Sequence, residues 1–131
     1  MLVLQSVQAM DLKTGDGLDL RLDMHTGAVQ QLRIKGGPML RADVPGGFRI
    51  EDVGAGKPAA PVAASGRAFR TGPHLEADVK RLGLYLVTDY VSHPTHLEIR
   101  TTLRDTTGKD CAVRLSYRLP LRRPLVWHPD I

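Results

Sequence analysis

Apolar and polar residues alternate with a period of two along much of this chain. In Leu18–Met24, Leu18, Leu20, Leu22 and Met24 share one parity, and Asp19, Arg21 and Asp23 the other. Successive side chains of a strand point to opposite faces, so such a segment is a half-buried β-strand. Ala28–Lys35 repeats the pattern, with Ala28, Leu32 and Ile34 inward and Gln31, Arg33 and Lys35 outward. The His25-Thr26-Gly27 turn between the two segments predicts a hairpin. A second pair lies near the end of the chain. Leu97–Arg104 and Cys111–Leu119 flank the polar run Asp105-Thr106-Thr107-Gly108-Lys109-Asp110. Cys111, Val113, Leu115, Tyr117 and Leu119 take the inward parity there, and Arg114, Ser116 and Arg118 the outward one. The turn residues hydrogen-bond their own backbone or tolerate positive φ, which again predicts a hairpin.

The remaining segments fit the same class. Leu2–Met10 is a weakly patterned first strand. Gly36-Gly37-Pro38 breaks the ladder, Met39–Asp43 is a short edge segment, and Phe48–Val53 is a strand. Gly54–Gly66, rich in Gly, Ala and Pro and without periodicity, predicts a long surface loop. Ala68–Thr71 is a short strand. Leu75–Ser92 divides into two strands with a bend near Leu82-Gly83, the second apolar on both parities and therefore central. Amphipathic strands must cover their apolar face, and a second sheet does so most simply. The expected fold is all-β, a single domain over residues 1–131 built as an antiparallel β-sandwich of two packed sheets. Leu18, Leu20, Leu22, Cys111, Leu115 and Tyr117 are expected to be buried.

Composition narrows the function classes. The 131 residues are 42% hydrophobic and 24% charged, ordinary for a globular domain able to build its own core. The net charge of +4 is spread over outward strand positions (Arg21, Arg33, Arg100, Arg114, Arg118). A nucleic-acid binder concentrates its charge on one face, so nucleic acid is not an expected partner. No apolar run reaches the length of a membrane span, so no membrane partner is expected either. Met1-Leu2-Val3-Leu4 is too short for a signal peptide. The compartment stays open, a secreted or periplasmic one included. Cys111, the single cysteine, has no intrachain partner.

Candidate chemistry is sparse. His93-Pro94-Thr95-His96 with Asp89 offers zinc-type ligands, but a histidine pair around a proline is a turn sequence, and zinc needs three or four ligands. No metal and no cofactor is expected. Ser6, Ser65, Ser92 and Ser116 lack a nucleophile elbow. Asp52, Asp105, Asp110 and Asp130 form no ordered acid–base set, so no catalytic residue is assigned. A sugar-stacking ring must be exposed, and parity turns Phe48, Tyr117 and one of Tyr85 and Tyr90 inward. Trp127, with His128 and Asp130, is then the candidate carbohydrate-binding group, with Phe69 second. The bland alternative is that Trp127 covers the end of the sandwich or packs on a neighbouring domain. Pro120-Leu121 and Leu125-Val126-Trp127 leave apolar surface, which usually marks a contact site. A homo-oligomer, or contact of this tail with another domain, is the expectation.

Three stretches together resemble the N-terminal β-sandwich domain of bacterial glycoside-hydrolase-like proteins with galactose-mutarotase-like supersandwich folds. They are Thr26-Gly27-Ala28-Val29 through Ile34-Lys35-Gly36-Gly37, Gly46-Gly47-Phe48-Arg49-Ile50-Glu51-Asp52-Val53, and Leu103 through Val113 running into Leu119-Pro120-Leu121 and Trp127. In that group the chemistry lies in a later domain, and Cys111 stands where a polar residue is usual. The resemblance carries no catalytic residue onto this chain. It implies a non-catalytic accessory domain of a carbohydrate-active protein, which packs against or shapes a glycan site elsewhere. The rival readings are an independent carbohydrate-binding module using Trp127 and a structural, self-assembling β-domain.

Overall fold

A computed structural model describes residues 8–41 and 44–122. The fold is all-β and sandwich-like, with its strands antiparallel throughout. In chain order they are β1 (Ala9–Lys13), β2 (Leu18–Asp23), β3 (Val29–Ile34), β4 (Gly37–Pro38), β5 (Gly47–Asp52), β6 (Lys57–Pro61), β7 (Ser65–Phe69), β8 (Gly72–Val79), β9 (Leu84–Ser92), β10 (Leu97–Asp105) and β11 (Val113–Arg118). They form three hydrogen-bonded sheets, in the orders β1-β2-β3-β4, β10-β9-β8-β7 and β11-β5-β6. The first and third sheets are joined by a bridge between Val29 and Gly46.

All three sheets contribute to one core. Leu12, Leu20, Leu22, Val29 and Leu32 come from the first sheet, Leu75, Ala77, Leu84, Leu86 and Tyr90 from the second, and Ile50 from the third. Each buried leucine removes enough apolar surface from water to stabilise the fold by about 1.5–3 kcal/mol. The second and third sheets also meet through a polar contact, where the Tyr90 and Tyr117 hydroxyls lie 3.1 Å apart. The Tyr117 ring stands edge-on to Phe48, with centroids 4.8 Å apart. Burial raises the pKa of both phenols above the ordinary range, so each hydroxyl keeps its proton and needs its partner.

Several sequence expectations fail in instructive ways. β10 and β11 are not a hairpin: β10 pairs with β9, and β11 with β5. The run between them is a crossover pinned at both ends. The Thr106 amide and hydroxyl both donate to the Gly83 carbonyl, each at 2.8 Å. At the other end, the Val53 and Gly54 amides donate to the Ala112 carbonyl. Gly83 has φ of +64°, and a Cβ there would lie 2.5 Å from Thr107 Cγ2, so the docking requires glycine. Cys111 falls in this connection, ahead of β11, and is exposed rather than buried.

Residues 54–66 are not one long loop. They supply β6 and the start of β7, whose Gly, Ala and Pro content hides the strand pattern. Three hydrogen-bonded sheets replace the expected two. In β3 the inward residue is Val29 rather than Ala28, because Leu22 faces Val29 while Arg21 faces Gln31, a bulge that shifts the register. Ile34, expected inward, is 46% exposed. Leu20 and Leu22 are buried as expected, whereas Leu18, Leu115 and Tyr117 are half-buried. Pro120 and Leu121 do not stand free. Leu121 bridges Leu40, the Arg41 amide donates to the Pro120 carbonyl, and Pro120 is buried. The bend at Leu82-Gly83 is present as a short 3-10 turn, Lys80–Leu82.

Three outcomes follow from this fold. Tyr90→Phe, which strands the Tyr117 hydroxyl, is expected to lower unfolding free energy by about 1–2 kcal/mol in urea titrations. The double variant Tyr90→Phe, Tyr117→Phe is expected to lose less than the sum of the single losses, since no buried hydroxyl is left orphaned. Cys111 is expected to react stoichiometrically with a thiol reagent in the folded chain. Protection until unfolding would contradict the crossover geometry.

Candidate functional site

The outer face of the β10-β9-β8-β7 sheet holds the densest set of interacting polar side chains among the described residues. Its composition follows from register. β7 and β8 set Arg67 opposite His74, and β8 and β9 set His74 opposite Asp89. β9 and β10 then set Asp89 opposite Arg100. Two same-face steps along, Asp78 lies opposite Tyr85, and Tyr85 opposite Arg104. Directly opposed residues share a face, so these rows align basic, acidic and aromatic groups across four strands.

The side chains form a connected chain of contacts. His74 Nδ1 is 2.7 Å from Asp89 Oδ1, and its Nε2 is 3.4 Å from Glu76 Oε1. The Tyr85 hydroxyl donates to Glu76 Oε2 at 3.0 Å. The Arg104 guanidinium lies 5.4 Å from the centre of the Tyr85 ring, in cation–π range. At the end of the row the Phe69 ring stands edge-on to His74, with centroids 5.8 Å apart, and Phe69 is 56% exposed. A large aromatic ring so far out of the core sets an apolar surface beside these polar groups.

The electrostatics follow the contacts. The hydrogen bond to Asp89 raises the His74 pKa, with Glu76 adding to it, so the imidazolium form is favoured. The Tyr85 hydroxyl and then His74 lower the Glu76 pKa, while the same bond to Glu76 raises that of Tyr85. At the neighbouring corner, Arg100 and then His93 hold Glu98 down to about 2. The face therefore carries charges and oriented donors on a solvent-exposed surface. It can donate to and accept from hydroxyl groups while offering an apolar ring beside them. Glu76 and Glu98, both with lowered pKa, are held on this face as carboxylates.

The sequence-derived candidates fare unevenly. Trp127, His128 and Asp130 lie outside the described residues. Asp89 does not join His93 and His96: it pairs with His74, whereas His93 Nε2 lies 2.9 Å from Glu98 and the His93 and His96 rings stack at 4.3 Å. Among the described residues no three histidine, cysteine or carboxylate side chains are arranged to hold a metal ion. Asp52 and Asp105 cap turns, accepting from the amides of Ala55 and of Thr107 and Gly108. Phe69, ranked second as a stacking ring, is the exposed one in the described fold. His74, Glu76 and Tyr85 were missed as a group. Their outward parity is visible in the sequence, but the cross-strand register that joins them is not.

The His74 shift has a measurable consequence. Stability from the His74–Asp89 pair is fully present below the unfolded histidine pKa of about 6.5, and is lost as pH rises through the raised folded value. In NMR titrations His74 is expected to lose its proton above that ordinary value, and Asp89→Asn to lower the midpoint. The same variant is expected to cost more stability near about pH 5 than near about pH 9.

Comparison with known proteins returns no match to this chain, whether from family models, curated proteins or solved structures.

Proposed function

We propose that this chain is a non-catalytic accessory β-sandwich of a carbohydrate-active, glycoside-hydrolase-like protein, and that it contributes the outer face of the β10-β9-β8-β7 sheet to a glycan site. The observation that carries this reading is Phe69 at the end of the His74–Asp89–Glu76–Tyr85 row. A pyranose presents a C–H face flanked by hydroxyls. An exposed ring beside a histidine that contacts two carboxylates matches both, the ring by apolar contact and the charged groups by charge-assisted hydrogen bonds. The open face and the lowered pKa of Glu76 suit holding a sugar rather than protonating a glycosidic oxygen.

The stretches on which the family resemblance rests also support it, because they converge. Gly46, from the second stretch, bridges Val29, from the first. A Cβ on Gly46 would lie 2.6 Å from the Arg118 carbonyl and 3.3 Å from Pro120, at the end of the third. Segments distant in sequence thus form one junction between the first and third sheets.

The test is a titration of the chain with a panel of neutral and acidic oligosaccharides, followed by NMR. A bound glycan is expected to perturb Phe69, His74 and Tyr85. Phe69→Ala is expected to weaken binding about tenfold without changing the melting temperature, since the ring buries little in the fold. A glycan that perturbs other surfaces only, or a panel that perturbs none, would overturn the assignment of this face.

A further inference from the structure

The β10 strand is the outer edge of its sheet, and among the described residues it pairs only with β9. It is nine residues long, Leu97–Asp105, with no proline and no bulge in its pairing. A long regular edge offers a row of backbone donors and acceptors to another strand, and proteins usually blunt such edges. Here the sequence of the edge is complementary to itself.

We infer that two copies of this chain associate edge to edge through antiparallel β10 strands, related by a two-fold axis at Thr101. Such an axis runs along the sheet normal, so each residue meets one of the same parity. With Thr101 opposite Thr101 of the second copy, all nine residues overlap. Glu98 then faces Arg104 of the other copy, twice by symmetry, and Arg100 faces Thr102. On the inner face Ile99, which is 37% exposed, meets Leu103 of the other copy. Opposite charges and apolar pairs directly across strands both favour pairing.

The alternative registers are disfavoured by the same residues. A slip of one residue would set inner faces against outer ones. The next allowed register one way sets Arg100 against Arg100 of the other copy, and the other way sets Arg100 against Arg104. Like charges directly opposed destabilise a pair. The arrangement is isologous and closed, giving a dimer rather than a filament. The joined sheet has eight strands and carries two copies of the Phe69–His74 face. The inference stands on the β10 edge alone, and does not depend on what that face binds.

Sedimentation equilibrium of the full 131-residue chain tests it. A dimer is expected, weakening as salt screens the charge pairs. Arg104→Glu is expected to raise the dimer dissociation constant by about tenfold or more, since both symmetric pairs become repulsive. The charge-swapped double variant Glu98→Arg, Arg104→Glu is expected to recover most of that loss. Cross-linking provides a check independent of the swap, because directly opposed Cα atoms lie within disulfide reach. A Thr101→Cys, Cys111→Ser chain is expected to form an interchain disulfide, and an Arg100→Cys, Cys111→Ser chain to form little. A wild-type chain that stays monomeric up to its solubility limit would overturn the inference. A dimer indifferent to Arg104→Glu, or one that is not cross-linked through Thr101→Cys, would overturn it as well.

Discussion

Thr106 bonds the carbonyl of Gly83 twice, and on that contact the arrangement of the sheets depends. It holds the chain leaving β10 against the end of the β8–β9 hairpin, so that the next strand cannot fold back on β10. Asp105 supports it locally by accepting from the amides of Thr107 and Gly108. The Ala112 carbonyl then receives the amides that follow β5, delivering β11 to β5 in the third sheet. A hairpin closes with two to five residues, whereas this connection runs from Asp105 to Val113 and satisfies its polar groups on neighbouring elements.

Because β11 is carried across, the half-buried face of the third sheet can close on the second. Tyr117 reaches Tyr90 and Phe48 together, so one side chain ties the crossover strand to both sheets. The hydroxyl pair is costly to break, since burial leaves each group short of alternative partners. The same crossover leaves β10 with a partner on one side only among the described residues. The edge on which the dimer inference rests is thus a direct product of the topology.

The outer face of the second sheet shows how register creates chemistry. His74, Asp89 and Arg100 come from three strands and are 11 to 26 positions apart in no recognisable motif, yet antiparallel pairing sets them in one row. Their mutual bonds tune one another: Asp89 favours the protonated imidazole, and Tyr85 favours the ionised Glu76. These are contacts between half-exposed groups, screened by solvent, and they contribute little to stability. Their consequence is a face of fixed polarity, with Phe69 standing out of it.

The period-two alternation by itself determined that the protein is all-β, which residues of Leu18–Met24, Phe48–Val53 and Val113–Tyr117 face inward, and where Leu75–Ser92 bends. Those features are local, because strand geometry alone sends alternate side chains to opposite faces. Pairing was decided elsewhere. Nothing near Asp105–Asp110 announces that Gly83 will accept from Thr106, so a sequence that looks like a turn became a crossover and Cys111 came to the surface. The bulge at Gln30 reversed the parity read for Ala28, and β6 formed from residues whose small side chains carry no alternation. The polar face was legible as outward positions but not as a site, since register is a property of strand pairs and not of single strands. Long-range backbone pairing, fixed by tertiary structure, converted a readable set of strands into this particular sandwich and its polar face.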